Sequence, residues 1–380
     1  MTKISQDPII QQIQFDCAEI SAAQAANRMS RRRFLAQASR GLLGAGAALG
    51  GAQSAFAQPR STARTPTLEE LEAPRVPVIE VISEKAWQGD ALDEAVVGEM
   101  LDRAMTKLTG FNTPKEAWRD FVLPGDVVGI KVNPIGGAQL STHRVLVDKL
   151  IDGLYSAGVL HNQIIIWDRF EAHLRAAGYE INQSAQGVRC FASDSEGVGY
   201  DDEVFYETEK DVPVRRENGS IRSRYTRILN EVTMLINVPV LKHHGITGVS
   251  GCLKNLAFGS VDNTSRFHSN PMNCDPAIAD IFAHQIIKDK PMLHIVDGLL
   301  GAFEGGPTYD ESGVWKYGGI LVSEDPVALD QIVYQTVEDK RKEVGGLSQV
   351  SRLVKYIRTA WRAGLGTNNL DEMDYQQIDV

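Results

Sequence analysis

The chain has 380 residues, 43% hydrophobic and 23% charged, enough for one large or two ordinary domains, which excludes a disordered tail, a collagen-like fibre and a disulfide miniprotein. Lys and Arg total 39 against 49 Asp and Glu, a net charge of -10, so a global electrostatic footprint for nucleic acid is absent and no nucleic-acid partner is expected. Four Cys with no C-x-x-C pair supply neither a zinc ribbon nor an iron-sulfur ligand set.

The first 57 residues read as an address. Ser30-Arg31-Arg32-Arg33-Phe34-Leu35 precedes the small-residue apolar run Gly41 to Ala52, and Ala55-Phe56-Ala57 follows before Gln58. This order is that of a twin-arginine export signal with an A-x-A cleavage site. Its apolar run is about 12 residues, against the roughly 20 that span a bilayer, so no stable membrane span is expected after cleavage. The expected partner is the twin-arginine translocase, and the expected location is the periplasm or another exported compartment. Export after folding suits a protein that acquires a metal or cofactor in the cytoplasm. Cleavage removes Cys17 and leaves Cys190, Cys252 and Cys274 in an oxidising compartment. Cys252 and Cys274, which bracket one loop-rich stretch, are the expected disulfide pair.

Residues 58–77 are polar and rich in Pro and Thr, a linker into a single α/β domain over 78–380. Val78 to Ile82 is a candidate strand, and Glu94 to Leu108 carries Val97, Met100, Leu101, Met105 and Leu108 at helical spacing. Val127 to Val132, entered through Pro124-Gly125-Asp126, is a second strand. Thr142 is placed to cap a helix with Val145, Leu146, Leu150, Ile151 and Leu154 inward, and Gln163 to Trp167 is the third strand. Strand, helix and strand in this order predict a βαβ unit with parallel strands.

Residues 203–229 break the rhythm. They are charged and β-prone, with Asn218-Gly219 at a hairpin turn and Arg215, Arg216, Arg222, Arg224 and Arg227 on the arms, and predict an antiparallel hairpin insertion. Val232 to Val240 reads as one strand buried on both faces. Asp275-Pro276 predicts a helix start running to Lys288, followed by a strand over Met292 to Val296. Gly319 to Val322 is the last predicted strand, Asp325-Pro326 repeats the helix start, and a final helix is predicted over Leu347 to Ala363. The fold class is α/β: three layers, a mainly parallel sheet flanked by helices, with the hairpin insertion.

Open parallel sheets bind ligands beyond the carboxyl ends of their strands. Those ends carry Lys131 and Asn133, Asp168, the run Lys242-His243-His244, Asp297 with Glu304 in a Gly-rich loop, and Glu324-Asp325. Asp325 reads as a helix cap, since Pro follows it. Lys131 lies within an apolar strand, where an ammonium needs a carboxylate or a bound anion. From Lys242 to Asn255 the chain combines Gly245, Gly248 and Gly251 with a Lys at each end, a composition suited to an oxyanion such as a carboxylate or phosphate. It is neither a Walker loop nor the dinucleotide fingerprint. Neighbouring His243 and His244 point to opposite faces of a strand, so one of them enters a given site. A divalent-metal site requires His244 joined by Asp297 and Glu304. His268 and His294 are further candidates, the latter as a core residue.

Several ordered motifs resemble one family. Val128-Gly129-Ile130-Lys131-Val132-Asn133, Asn237-Val238-Pro239 leading to Lys242-x-His244, Gly251-x-x-Lys254-Asn255, Ile295-Val296-Asp297-Gly298, Glu304-Gly305-Gly306-Pro307 and Asp325-Pro326-x-Ala328-x-Asp330 look like the "domain of unknown function 362" family, over roughly Leu123 to Gly366. The resemblance implies a site at Lys242, His244, Lys254 and Asn255. Some relatives carry a ferredoxin-type segment with clustered cysteines; this chain has none, so no iron-sulfur cluster is expected from it alone.

The resulting expectation is an exported enzyme acting on a small anionic substrate by metal-assisted or acid/base chemistry. Lys242, Lys254 and His244 are its expected catalytic residues, and Lys131, Asn133, Asn255 and Gly251 its expected substrate-binding residues. His244, Asp297 and Glu304 are the expected metal ligands. The alternatives are a non-catalytic anion- or metal-binding envelope protein, or an accessory to a redox partner.

Overall fold

A computed structural model describes residues 75–208, 221–268 and 272–380. The export signal, most of the linker, and the Asn218-Gly219 turn with Arg215 and Arg216 lie outside the described residues. No helix among those described is long and apolar enough to cross a membrane.

Strand β1 (Val76–Ile82) leads through a short ribbon, β2 (Trp87–Gln88) and β3 (Ala91–Leu92), into helix α1 (Glu94–Thr109). The Asp93 carboxylate caps α1 by accepting from the amides of Ala95 and Val96, and all five apolar residues picked out by its periodicity are buried. After α2 (Pro114–Phe121), the predicted βαβ unit is β4 (Val128–Val132), α3 (Arg144–Ala157) and β5 (Ile164–Asp168), with β4 and β5 parallel. Thr142 does not cap α3. Its hydroxyl accepts from the Asn133 amide at 2.8 Å and donates to the Val238 carbonyl at 2.7 Å, so it ties loop to sheet.

Helix α4 (Glu171–Ala176) and β6 (Arg189–Ala192) complete that edge. The insertion is the antiparallel pair β7 (Tyr200–Glu207) and β8 (Arg222–Thr226), followed by α5 (Ile228–Glu231). Arg222 pairs with Glu207, and Arg224 with Asp202 and Asp262, so these arginines are held by carboxylates of the protein.

The apolar run expected as one strand is two: β9 (Met234–Val238) and β10 (Val240–His244), parted at Pro239. Proline has no amide hydrogen for a sheet ladder, and here the chain switches partners. Strand β9 lies between β4 and the start of β12 (Met292–Ala302), whereas β10 pairs with the later part of β12 and with the short β11 (Gly248–Val249). Helix α6 (Cys252–Gly259) follows β11. The helix expected from Asp275 to Lys288 is split into α7 (Ala277–Phe282) and α8 (Gln285–Lys288), and no side chain caps α7.

Beyond β13 (Val314–Trp315) and β14 (Gly319–Ser323), Asp325 caps α9 (Pro326–Val344) as predicted. Helix α10 (Lys355–Arg362) is shorter than expected, and β15 (Met373–Asp379) was not predicted. The polar sequence of β15 suits an edge strand, which lies parallel to β1.

The main sheet runs β15-β1-β14-β12-β9-β4-β5-β6, and β14 alone on that path is antiparallel to its neighbours. Successive strand residues enter different cores: Val128, Ile130 and Val132 join α1 and α3 on one face, while Ile165, Trp167 and Leu235 join α6, α7 and α9 on the other. The predicted three-layer, mainly parallel α/β class is what forms. Because β14 is reversed, Glu324 and Asp325 stand at the rim opposite the carboxyl ends of β4, β5 and β10, and neither joins the site.

Candidate functional site

A cavity of about 350 Å³ lies at the carboxyl ends of β4, β5 and β10 on the α6 face. Lys131 and Asn133 come from β4 and its exit, Asp168, Arg169 and Phe170 from the end of β5, and Lys242 and His244 from β10. Helix α6 adds Lys254, Asn255 and Phe258, and the following loop adds Thr264 and His268. Lys131 points to this face because its neighbours Ile130 and Val132 enter the opposite core. Helix α6 can approach it because residue 259 is glycine; a Cβ there would stand 2.1 Å from Lys131 Cε.

Two of the three lysines are saturated with acceptors. Lys131 Nζ donates to Asp168 at 2.5 Å, to the Val132 carbonyl at 2.7 Å and to Asn255 Oδ1 at 3.3 Å. Lys242 Nζ donates to Asn133 Oδ1 at 2.8 Å and to the Ile135 carbonyl at 2.5 Å, with the Pro307 and Leu140 carbonyls at 3.3 and 3.4 Å. An ammonium has three hydrogens, so neither has one to spare. Asn255 links both: its Oδ1 also accepts from Asn133 Nδ2 at 2.9 Å, and its Nδ2 donates to Asn237 Oδ1 at 2.8 Å.

Lys254 is different. It makes no hydrogen bond or ion pair among the described residues, and its ammonium lies 5.5 Å from the Phe258 ring centre. Arg169 donates Nη1 to Thr264 Oγ1 at 2.7 Å, while its buried Nε has no partner. Among the described residues, four cations therefore surround the cavity against one carboxylate, Asp168, in a chain whose net charge is -10. Burial lowers the pKa of Lys131 against the pull of Asp168, and burial also lowers Lys254. Burial, then the charge of Lys254, pushes Lys242 down to about 7.

The two cavity histidines are set in opposite tautomers. His244 Nδ1 accepts from the backbone amides of Ile246 and Thr247 at 3.2 and 3.3 Å, so the ring hydrogen of the neutral form is on Nε2. His268 Nδ1 faces the Thr264 carbonyl at 2.9 Å and must donate to it, which leaves Nε2 as a bare acceptor. Burial holds both rings neutral, assisted by the Lys254 charge: His244 is driven well below the usual histidine range and His268 down to about 4. The ring centres are 6.2 Å apart.

Of the predicted site residues, Lys131, Asn133, Lys242, His244, Lys254 and Asn255 are brought together. Gly251 is not among the lining residues. It packs against the buried Asp330, whose Oδ1 would be 2.0 Å from a Cβ at 251, and Asp330 accepts from the Cys252 and Leu253 amides at the start of α6. Asp297 and Glu304 also lie elsewhere. Asp297 is fully buried within β12, which continues to Ala302, and it accepts from the His143 amide at 2.7 Å and pairs with His143 Nδ1 at 2.9 Å. Burial opposes the His143 imidazolium and Asp297 outweighs it, so that pKa is raised. Glu304 is paired with Arg341. His244, Asp297 and Glu304 thus do not form one donor set, and no group of three or more His, Cys, Asp or Glu placed to hold a metal occurs among the described residues.

Cys252 and Cys274 are separate buried thiols, as is Cys190, so the expected disulfide does not form. His243 is outside the cavity, as strand alternation requires, and His294 is a core residue with its Nδ1 3.0 Å from Asn237 Nδ2. Arg169, Phe170 and Thr264 were not anticipated. The signal for the first two was adjacent: they directly follow the strand-end Asp168.

Fold and site together define an α/β protein with a cation-lined cavity at the carboxyl edge of a mainly parallel sheet. Residues 128–335 match the family described as Domain of unknown function (DUF362), and the chain belongs to that family. No curated protein sequence matches it. Among solved structures it is similar to a structural-genomics target protein from Thermotoga maritima, with 13% identity, a TM-score of 0.39, and coverage of 73% of this chain and 60% of that one. It is also similar to the lactate racemase apoprotein from Thermoanaerobacterium thermosaccharolyticum, with 14% identity, a TM-score of 0.36, and coverage of 67% and 55%. The chain thus spans less than two thirds of the length of either.

Proposed function

We propose that this is an exported protein that binds a small organic anion in the lysine-lined cavity and acts on it by acid/base chemistry. The observation that carries the reading is the charge imbalance around the cavity: among the described residues, four cations, one carboxylate, and no anion paired with Lys254. A bound anion supplies the missing charge. Lys131 and Lys242 contribute field rather than contacts, since their hydrogens are engaged. Lys254 and the free Nε of Arg169 are the donors left for the ligand. With His244 offering an Nε2 hydrogen bond and His268 an Nε2 lone pair, the cavity has a hydrogen-bond donor and a base on one ligand, which supports proton transfer on the held molecule. Asp297 and Glu304 are engaged elsewhere, so no step is assigned to a metal held by them with His244.

A test combines binding and turnover. The purified chain is screened by thermal shift against small carboxylates and inorganic phosphate, and the stabilising anions are then incubated with protein and their products analysed. The expected result is stabilisation by at least one anion and conversion that is lost in His244→Ala while stabilisation persists. Stabilisation without conversion across the panel supports the alternative of a binding protein. Export is tested by fractionating cells that carry Arg31→Lys and Arg32→Lys together; the account expects the changed chain to stay in the cytoplasm.

A further inference from the structure

We propose that Lys254 is a nucleophilic lysine that forms an imine with a small oxo acid, a molecule carrying both a carboxylate and a ketone or aldehyde carbon. This rests on the anion-binding reading above and gives the ligand its second functional group.

The three cavity lysines differ in what holds them. Lys131 and Lys242 cannot present a lone pair without giving up a carboxylate or a carbonyl cradle. Lys254 has no acceptor among the described residues to give up, and losing its proton relieves repulsion from Lys131, Lys242 and Arg169 around the same cavity. An amine activated by burial and neighbouring cations is the arrangement in which a lysine attacks carbonyl carbon. Its lowered pKa agrees with that placement. The same cations hold the carboxylate end of the ligand, Arg169 through its unpartnered Nε.

The step balances with the groups present. The Lys254 ammonium gives a proton to His268 Nε2, and the resulting amine attacks the carbonyl carbon; a C–N bond forms, the C=O π pair moves to oxygen, and that oxygen, held by the His244 Nε2 hydrogen bond, takes the proton released from the added nitrogen. The His268 imidazolium then returns its proton to the carbinolamine hydroxyl, which leaves as water, and the nitrogen lone pair closes the C=N bond of the iminium. Counted from the ammonium form, lysine and ketone give iminium and one water, with charge conserved and no oxidant or reductant required. The iminium then serves as an electron sink for proton removal from the adjacent carbon of the ligand.

The experiment is reductive trapping on the full-length chain. Protein is incubated separately with pyruvate, 2-oxoglutarate or acetoacetate in the presence of cyanoborohydride, with propionate as a carbonyl-free competitor, and the adduct is mapped by peptide mass spectrometry. Binding of each probe is measured in parallel without reductant. The expected result is one dominant adduct on the peptide bearing Lys254, reduced by excess propionate and lowered at least about tenfold in Lys254→Arg. Mapping the wild-type chain locates the adduct even if that variant folds poorly. Binding of the oxo acids without an adduct on Lys254, or with adducts spread over surface lysines, overturns the imine and leaves the anion site standing. Failure of every carboxylate to bind overturns both.

Discussion

The cavity and two ion pairs elsewhere in the domain both contain buried charge, and they differ in balance. Asp297 is matched by His143 and Glu304 by Arg341, each acid answered by a base of the chain itself. Around the cavity Asp168 answers Lys131, and among the described residues no carboxylate answers Lys242, Lys254 or Arg169. Position at a strand end therefore does not identify a functional group; an unanswered charge beside open volume does. A buried ion is costly unless paired, so the surplus is maintained at the expense of stability and points to a ligand.

The largest effect expected from breaking this contrast is at its balanced pair. Lys131→Met leaves Asp168 buried without its cation, and calorimetric unfolding should show a loss of about 3–5 kcal/mol, much of it recovered by adding Asp168→Leu. At the unbalanced position the outcome inverts. Lys254→Met should weaken anion binding roughly ten- to a hundredfold by titration calorimetry, at about 1.4 kcal/mol per factor of ten, while the melting temperature stays level or rises. Gly251→Ala drives a Cβ into Asp330 and should cost about 1–3 kcal/mol of stability, with α6 and hence Lys254 displaced.

Titration sharpens the contrast further. Lys242 has its pKa lowered to about 7 in the folded chain, below its ordinary 10.5, so between these values the unfolded chain binds more protons. From about pH 7 to 10.5 this group should make the ligand-free protein more stable as pH rises, because the cost of burying its ammonium is relieved. Over the same window anion affinity should fall. Thermal unfolding and binding followed in parallel against pH check the opposite signs. The smallest effect belongs to Glu304→Gln: its carboxylate is the exposed end of the pair, and the buried Arg341 keeps the Phe303 and Ser348 carbonyls, so stability should change by about 0–1 kcal/mol and anion binding stay unaltered, as expected of a residue outside the cavity.

Much of this was legible in the residues. The β-branched run around Lys131 and the periodicity of α3 specify the βαβ unit, and the polar strand ends with the Lys254-Asn255 motif mark the residues that meet at one place: Lys131, Asn133, Lys242, His244, Lys254 and Asn255. The demand of a buried lysine for a carboxylate was met by Asp168. What was not legible depended on direction and depth. Gly319 to Val322 reads equally well in either direction, so the reversal of β14, which sends Glu324 and Asp325 to the far rim, leaves no trace in composition. Strand β12 runs past Asp297 to Ala302, because the chain leaving Pro239 supplies β10 as a new partner; the acid expected at a strand end is mid-strand. Thr264 reaches the cavity from a loop, where no periodicity predicts placement, whereas His268, a further candidate in the sequence, does line it.

On the reading proposed above, the cavity is an anion site completed by Lys254. Its most direct test is titration calorimetry of a stabilising carboxylate into the wild-type chain and Lys254→Met at matched pH and salt. The account predicts saturable binding to one site in the wild type, with affinity lowered at least roughly tenfold in the variant whose fold is intact by circular dichroism. Equal affinity in the two proteins would contradict it.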